Sequence, residues 1–488
     1  MTMLRRTIGN SAILLASQVI TWTASLVLTA ALGWRLGDAA FGDLYLAMAF
    51  GTIFSVLVEF GLNQQLVRAV ARDPSLAGPY LLNSLVIKVA FAVLSYGLIF
   101  ALVILLGYPA QLRLTVMIYC LILFWNSLAT SFTAVYQATQ RLLYPAVGTI
   151  IEKVLVCLVA LVLLARGYGI IAMAAVFVAG AAANAIWQGA CLGKTMPWTT
   201  RLDAHLVRTL AVGALPFFLY WVLGSIYFRI DTVLLSKLAA PAVVGWYGAA
   251  YRLFDTLVFL PNIVSSAILF PILARLSVES RPALQRAMSK GLDIILIIGV
   301  PLCTGLFILA GPIIRFIYRR PEFLPAVPAL RWLAVALVLL YINSLLGVTL
   351  VSLNEERKLT LVAGLATVLN LGLNWLLIPH YQHIAAAAVT AGTEGFILCY
   401  LFAIMPRDLL ARRNLVVLAK TALATGIMAV ALFALHELRL PLLVLVGAMV
   451  YGTAGFALRL APPEDVRLFR QALLARRRPA AEAEVTVA

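Results

Sequence analysis

The sequence predicts an all-α membrane protein that crosses the bilayer many times, and three observations carry that prediction. Of its 488 residues, 63% are hydrophobic and only 12% are charged. A soluble domain of this size needs more polar side chains to cover its surface. Apolar stretches of about 20 residues, the length of a membrane-spanning helix, recur along the whole chain with short loops between them.

Fourteen of these stretches are predicted membrane helices. The first runs for about 25 residues, well beyond the apolar core of a signal peptide. The predicted helices start near Ile8, Phe41, Tyr80, Leu114, Leu142, Tyr168, Leu206, Val243, Gly291, Ala329, Leu359, His383, Leu415 and Leu440. Because the number of predicted membrane helices is even, both chain termini are predicted on the same side of the membrane.

The basic residues set the predicted orientation, since loops rich in Lys and Arg stay in the cytoplasm. Most of the 37 basic residues fall on the side of the termini, so we expect a multi-pass inner-membrane protein with both termini cytoplasmic. Arg315, Arg319 and Arg320 oppose this trend, because they fall in an outward loop. The net charge of +17 predicts attraction to anionic membrane lipids and not to nucleic acid, since no aromatic surface accompanies it.

Two short motifs recur at similar offsets. Gly42–Ala47 aligns with Gly245–Ala250 at an offset of 203, and Asn126–Leu128 with Asn343–Leu345 at 217. Such repeats are typical of transporters whose substrate lies between two halves. We therefore predict two six-helix lobes followed by two further helices and a tail. The predicted boundaries are 1–205 and 206–410 for the lobes, 411–460 for the appended helices and 461–488 for a basic cytoplasmic tail.

The chain offers no room for a separate catalytic module, because its longest polar stretch is the tail. Its five cysteines show neither paired nor metal-type spacing. We therefore predict a protein that is not an enzyme and that uses no metal or cofactor.

Charged residues stand in two segments that are otherwise apolar enough to span a membrane. They are Arg229 and Asp231 before a predicted turn at Pro241, and Arg252 and Asp255 after it. Asp231 and Arg252 lie equally far from the turn, roughly 16 Å down each helix. Charges at such depth normally face a protein interior or a watery cavity and pair there. This hairpin is the main sequence clue to function.

Three stretches resemble the bacterial oligosaccharide flippases, which move lipid-linked sugar repeats for O-antigen, capsule or exopolysaccharide. They are Gly42–Ala47, Glu59–Arg68 and Asp231–Arg252. The resemblance covers roughly residues 5–410, and the same superfamily holds multidrug exporters and lipid II flippases. The first predicted helix has no arginine in its span, unlike that of the lipid II branch, and no acidic residue, unlike that of the multidrug branch.

The resemblance implies a flippase that moves polyprenyl-diphosphate-linked oligosaccharide from the cytoplasmic to the outer leaflet by alternating access. Its partners would be that lipid, the surrounding membrane lipids and proteins of polysaccharide polymerisation and assembly. An ion-coupled multidrug-type exporter, a lipid II flippase and a non-transporting scaffold remain alternatives. A membrane-embedded glycosyltransferase is disfavoured, because the outward loops hold few acidic residues.

Basic residues are the candidate contacts for the lipid diphosphate, because Arg grips oxyanions bidentately and Lys meets them as a point charge. The candidates are Arg229, Arg252, Lys88 and Arg68. The alternative is structural pairing, in which Asp231 locks Arg252 across the hairpin. Arg229 and Lys88 would then be the freer candidates.

The remaining candidates bind sugar or couple transport to an ion. Gln18 and Trp22 share one helical stripe, as do Tyr220 and Tyr227, and such residues suit stacking and hydrogen bonding to sugar rings. Ordinary packing between helices is the alternative. Buried carboxylates can exchange protons or hold cations, or instead serve as hydrogen-bonded contacts between helices. The candidates for ion coupling are Glu59, Asp231, Asp255 and Glu394.

Overall fold

The structure, a computed structural model, describes residues 2–194 and 202–460, and these residues form α-helices with no β-strand among them. The helices are α1 (Thr2–Leu36), α2 (Asp38–Glu59), α3 (Leu62–Arg72), α4 (Ala77–Leu105), α5 (Ala110–Cys120), α6 (Ile122–Ala138), α7 (Leu143–Ala165), α8 (Ile170–Gly193), α9 (Ala204–Leu238), α10 (Pro241–Pro261), α11 (Phe270–Glu279), α12 (Arg281–Ile308), α13 (Ala310–Tyr318), α14 (Ala326–Ser352), α15 (Glu356–Ile404), α16 (Arg412–Ala434) and α17 (Leu440–Ala457).

Eleven helical segments of the described chain are long and apolar enough to cross a membrane. The predicted all-α, multi-pass fold is therefore confirmed. One of these segments, α15, has 49 residues and holds a non-helical residue, Gln382, at φ 51°. At about 1.5 Å per residue it is twice as long as one crossing needs. Its two parts correspond to the separate helices predicted near Leu359 and His383.

The predicted second membrane helix is broken into α2 and α3. Phe60 and Gly61 join them, both in the left-handed region with φ of 46° and 72°. Glycine adopts this conformation without steric cost, which makes Gly61 the natural break. Helix-forming residues stand on both sides of the break, so the sequence pattern alone predicts an unbroken helix. The break places Glu59 at the last turn of α2.

Contacts divide the chain into two compact units. The first unit comprises Met1–Thr256, Gly311–Leu333 and Arg357–Ile397, and the second comprises Leu257–Ala310, Ala334–Glu356 and Leu398–Ala488. The lobes predicted at 1–205 and 206–410 stay a prediction. The predicted tail at 461–488 lies outside the described residues.

Within the first unit, α2 packs against α4, α5 and α9, and α1 packs against α7. The backbones of α2 and α10 touch at two glycines. A Cβ on Gly42 would lie 2.4 Å from the Pro241 carbonyl oxygen, and one on Gly245 would lie 2.0 Å from that of Asp38. No larger residue fits there. The two motifs that align as a repeat therefore contact each other. The residues of α2 that follow Gly42 then lie against α9 and α10.

In the second unit, α12 packs against α11, α16 and α17. Asn414 Nδ2 donates to Asp293 Oδ1 at 2.7 Å. Arg281 donates twice to the Asp408 carboxylate, at 2.6 and 3.1 Å. These hydrogen bonds with Arg281 lower the pKa of Asp408. These polar contacts thus connect the first half of α12 to the chain around the start of α16.

Candidate functional site

The first group of charges in the membrane helices is centred on Lys88 and is called here the lysine cluster. Lys88 is completely buried and its Nζ lies 2.7 Å from Glu59 Oε2. The same Nζ donates to Asn63 Oδ1 at 2.8 Å and to Thr130 Oγ1 at 3.1 Å. Asn63 and Thr130 each donate in turn to the Glu59 carboxylate, both at 2.6 Å.

The lysine cluster is a closed network, because the Lys88 ammonium has three oxygen partners and the carboxylate has three donors. Such mutual satisfaction is what makes a buried ion pair tolerable in a low-dielectric interior. The side chain of Glu59 is 29% exposed, so the network opens to its surroundings at the carboxylate. Lys88 is thus not one of the freer cations, contrary to the alternative drawn from the sequence.

The second group, called here the arginine cluster, belongs to the charged hairpin. Arg229 Nη2 lies 2.7 Å from Asp255 Oδ2, and its Nη1 donates to the Tyr45 hydroxyl at 3.0 Å. Its guanidinium lies 5.0 Å from the ring centroid of Tyr251. The Asp255 side chain is 38% exposed, whereas that of Arg229 is 18% exposed. Arg229 is therefore held on several sides, and Asp255 is the accessible partner.

Arg252 has no carboxylate partner among the residues that the structure describes. Its Nη2 lies 2.7 Å from the sulfur of Met48, a weak acceptor, and its Nε is buried without any hydrogen bond. The pairing of Arg252 with Asp231 suggested by their equal depth is wrong. Arg252, and not Arg229 or Lys88, is the cation of the candidate site that lacks a counter-ion.

Asp231 is satisfied by neutral donors instead. The Tyr247 hydroxyl donates to Asp231 Oδ2, and the Thr232 backbone N–H donates to Oδ1 at 2.6 Å. Equal distance from a turn fixes the height of a side chain in a helical hairpin but not its direction around the helix axis. For this reason the counting of residues, which predicts equal depth for Asp231 and Arg252, led to the wrong partner.

The two arginines of the hairpin both contact one neighbouring helix, α2. Arg229 contacts Tyr45 and Arg252 contacts Met48, and these two residues are three positions apart on α2. Three residues correspond to about 4.5 Å of helix rise. The two guanidinium groups therefore contact α2 at positions about one turn apart. Only one of the two, that of Arg229, is bound to a carboxylate.

A third polar group joins α9 to α15. The Tyr227 hydroxyl contacts Thr393 Oγ1 at 3.1 Å and donates to Glu394 Oε1 at 3.0 Å. Asn370 Nδ2 lies 3.4 Å from the same threonine oxygen, and Asn374 donates to Asn370 at 2.9 Å. Tyr227, a candidate for sugar binding, and Glu394, a candidate for ion coupling, therefore contact each other. Within the described chain, no group of three or more His, Cys, Asp and Glu side chains is suited to hold a metal ion.

The other predicted residues lie apart from these groups or outside the description. Arg68 is exposed on α3. Gln18 and Trp22 are half-buried on α1. The side chain of Tyr220 lies outside the part of the chain that the structure describes.

Sequence reasoning missed several residues that complete the clusters. Tyr45 and Tyr247 lie in the two repeated motifs, yet they were read only as part of a pattern. Thr130 lies four residues after Asn126, a spacing that places both on one helix face. A search for polar residues within each repeated motif or one turn beyond it would have found these three.

The fold and the candidate site define a class: a multi-pass helical membrane protein of transporter architecture, with charged clusters between its helices. Within that class, the family model described as "Polysaccharide biosynthesis protein" matches residues 8–277, more than half of the chain, and the chain belongs to this family. The model described as MatE matches residues 216–376.

Known proteins agree with this architecture. The chain is 26% identical over 190 residues to the probable lipid II flippase MurJ of Haemophilus influenzae, a match that spans 36% of this chain and 37% of that relative. A structure of the lipid II flippase MurJ in an inward closed conformation matches 93% of this chain and 99% of its own, at 16% identity and a TM-score of 0.75. An inward-facing MATE family transporter of the MOP superfamily matches 80% of this chain and 97% of its own, at 13% identity and a TM-score of 0.63.

Proposed function

We propose that the protein is a flippase that moves a polyprenyl-diphosphate-linked oligosaccharide from the cytoplasmic to the outer leaflet for surface polysaccharide synthesis. The observation that carries this proposal is Arg252, a guanidinium inside the membrane helices that has no carboxylate partner. A cation at such depth is costly unless something neutralises it. An anionic cargo would do so during part of the transport cycle.

A diphosphate suits the arginine cluster better than a single negative charge does. Its two phosphate groups each offer oxygens that a guanidinium can grip with two parallel hydrogen bonds. Arg229 and Arg252 contact α2 at positions about one helical turn apart. One cargo head group can therefore engage both arginines at once. An exporter of cations would instead favour a net acidic site.

Asp255 would act as a counter-ion that the cargo displaces. It is the more exposed partner of Arg229, at 38% against 18%, so an incoming phosphate reaches the pair from the Asp255 side. The cargo would bind Arg252 first and then replace the carboxylate on Arg229. When the cargo leaves, Asp255 returns to Arg229, so that release does not leave two bare cations in the membrane.

The remaining candidate residues take supporting roles in this proposal. Tyr227, Tyr220, Gln18 and Trp22 would contact the sugar, and Arg68 would attract the head group near the cytoplasmic entrance. Asp231 and Glu394 would couple transport to a proton or a sodium ion, whereas Glu59, which is held in the lysine cluster, would be structural. The protein would lie in the inner membrane with both termini cytoplasmic, alternate between inward-open and outward-open states, and work beside polymerisation and assembly proteins.

The direct test uses purified protein in vesicles that contain a short-chain polyprenyl-diphosphate oligosaccharide. Exposure of the sugar to an impermeant glycosidase measures transport. Arg252→Gln should abolish most of the transport, whereas Arg275→Gln should not, because Arg275 is an exposed arginine paired with Glu279 outside the site. Transport by Arg252→Gln at the wild-type rate would refute the proposal.

Lipid II is the second candidate cargo, because the curated relative is a probable lipid II flippase. Both lipids carry a polyprenyl diphosphate, so the arginine cluster does not separate them. Offering lipid II in the same vesicles does: wild-type transport of lipid II without transport of the oligosaccharide lipid would select the second candidate.

A further inference from the structure

A basic surface lies at the end of the first unit where α1 finishes. Helix α13 exposes Arg315 and Phe316, and Arg319, which follows the last residue of the helix with φ of 50°, is exposed as well. Its opposite face is buried and consists of Ile314, Ile317 and Tyr318. The arginines at 315, 319 and 320 are the ones that oppose the topology rule, and transport chemistry does not explain them.

The buried face of α13 is firmly anchored, which fixes the direction of the exposed face. The Tyr318 hydroxyl donates to the Ala249 carbonyl oxygen at 3.0 Å, and its ring stacks on Phe323 with centroids 4.6 Å apart. A Cβ on Gly33 would lie 2.4 Å from the Tyr318 ring, so α1 and α13 touch closely. The exposed arginines are therefore presented from a rigid support.

Arg319 is pre-organised for an oxyanion. Its guanidinium lies 4.2 Å from the ring centroid of Trp34, a stacked arrangement that leaves the N–H edges of the group available. Among the described residues, neither Arg315 nor Arg319 has a carboxylate partner. Their neighbour Arg320 differs, because its Nη1 lies 3.3 Å from Glu322 Oε2.

The charge of this surface is positive even when its acids are included. In the two chain segments that form it, Arg35, Arg315, Arg319 and Arg320 outnumber Asp38 and Glu322. The aromatic side chain next to Arg315 in the sequence, Phe316, is 52% exposed. Exposed aromatic residues beside basic ones are typical of the interface between lipid tails and head groups.

We propose that Arg315 and Arg319 form a binding site for the phosphate group of a membrane lipid in the leaflet at this end of the first unit. Bidentate contacts between guanidinium and phosphate, with aromatic side chains at the level of the glycerol or prenyl chain, are the chemistry that such a site supplies. In the predicted orientation this is the outer leaflet, which receives the cargo. The site itself does not depend on the proposed transport activity.

The test measures lipid retention by the purified full-length protein in native mass spectrometry during titration with phosphatidylglycerol or phosphatidylcholine. The variant combines Arg315→Gln with Arg319→Gln. The matched control combines Arg320→Gln with Glu322→Gln, which removes an ion pair from the same segment without changing its net charge. The variant should bind its first phosphatidylglycerol about tenfold more weakly, the control should match the wild type, and phosphatidylcholine should bind all three equally.

Equal affinity of variant and wild type for phosphatidylglycerol would overturn the proposal, as would an equal loss in the control. Because both arginines are exposed, an unchanged unfolding temperature checks that the variant is folded. Polyprenyl diphosphate as a third titrant identifies the source of the phosphate. A wild-type preference for this lipid that the variant loses would identify released cargo as the ligand, whereas equal binding of both anionic lipids would identify a resident lipid.

Discussion

The lysine cluster and the arginine cluster both place charge inside membrane helices of the first unit, and they differ in how completely that charge is satisfied. Lys88 has three oxygen partners and is completely buried. In the arginine cluster, Arg229 is well held, but Arg252 meets only a sulfur atom and keeps a buried Nε without a partner.

Formal charge does not explain this difference, because each cluster balances its positive and negative residues. Asp231 is predicted at the same depth as Arg252, yet it accepts hydrogen bonds from Tyr247 and Thr232 instead. The arginine cluster thus separates an acid and a base that could have neutralised one another. A closed network is suited to holding helices together, whereas a cation without a counter-ion is suited to binding an anion that comes and goes.

The largest effect is expected from opening the lysine cluster. Lys88→Met should lower the free energy of unfolding by about 3 kcal/mol or more, because it leaves Glu59 without its ionic partner. The double variant Lys88→Met with Glu59→Gln should recover much of that loss, since it removes both charges. Thermal unfolding of the purified proteins measures both. A transport defect in Lys88→Met at wild-type stability would show that this cluster is not mainly structural.

The next largest effect is expected from Arg252 and has the opposite character. Arg252→Gln should lower affinity for the diphosphate lipid by roughly 30-fold, the worth of a lost charge-assisted contact. Its unfolding temperature should stay close to the wild-type value, because no carboxylate loses a partner. Lipid titration and thermal unfolding of one preparation separate the two effects. A large loss of stability with unchanged affinity would place Arg252 with the structural residues.

Asp255→Asn should give a smaller effect that sharpens the role of the exposed counter-ion. The variant frees Arg229 from competition, so the diphosphate lipid should bind about fivefold more tightly and leave more slowly. Transport should therefore fall while affinity rises. Wild-type affinity in Asp255→Asn, together with weakened binding in Arg252→Gln, would refute the displacement of Asp255 and leave the anion site standing.

The sequence predicted the fold and the presence of these charges but not their partners. Apolar length and Lys and Arg placement depend on composition, and they were sufficient to find helices such as α4, α9 and α10. The break at Phe60 and Gly61 was missed, because left-handed residues between two helix-forming segments leave no mark in hydropathy. The pairing of Arg229 with Asp255 depends on rotation about helix axes, which packing sets and which no single-sequence pattern records.

The smallest effect is expected at an ion pair outside the membrane, which serves as a reference for both clusters. Arg281 lowers the pKa of Asp408, so the pair stabilises the fold above the ordinary pKa of an aspartate, about 3.9, and loses that contribution as the pH falls through the lowered value. Because both side chains are about half exposed, at 44% and 55%, solvent screens their attraction. Asp408→Asn should therefore shift the unfolding temperature only slightly at pH 7 and not at all once the pH lies below the lowered pKa of Asp408. A shift at pH 7 as large as that of Lys88→Met would mean that burial does not separate these pairs, and that the contrast between the two membrane clusters has another cause.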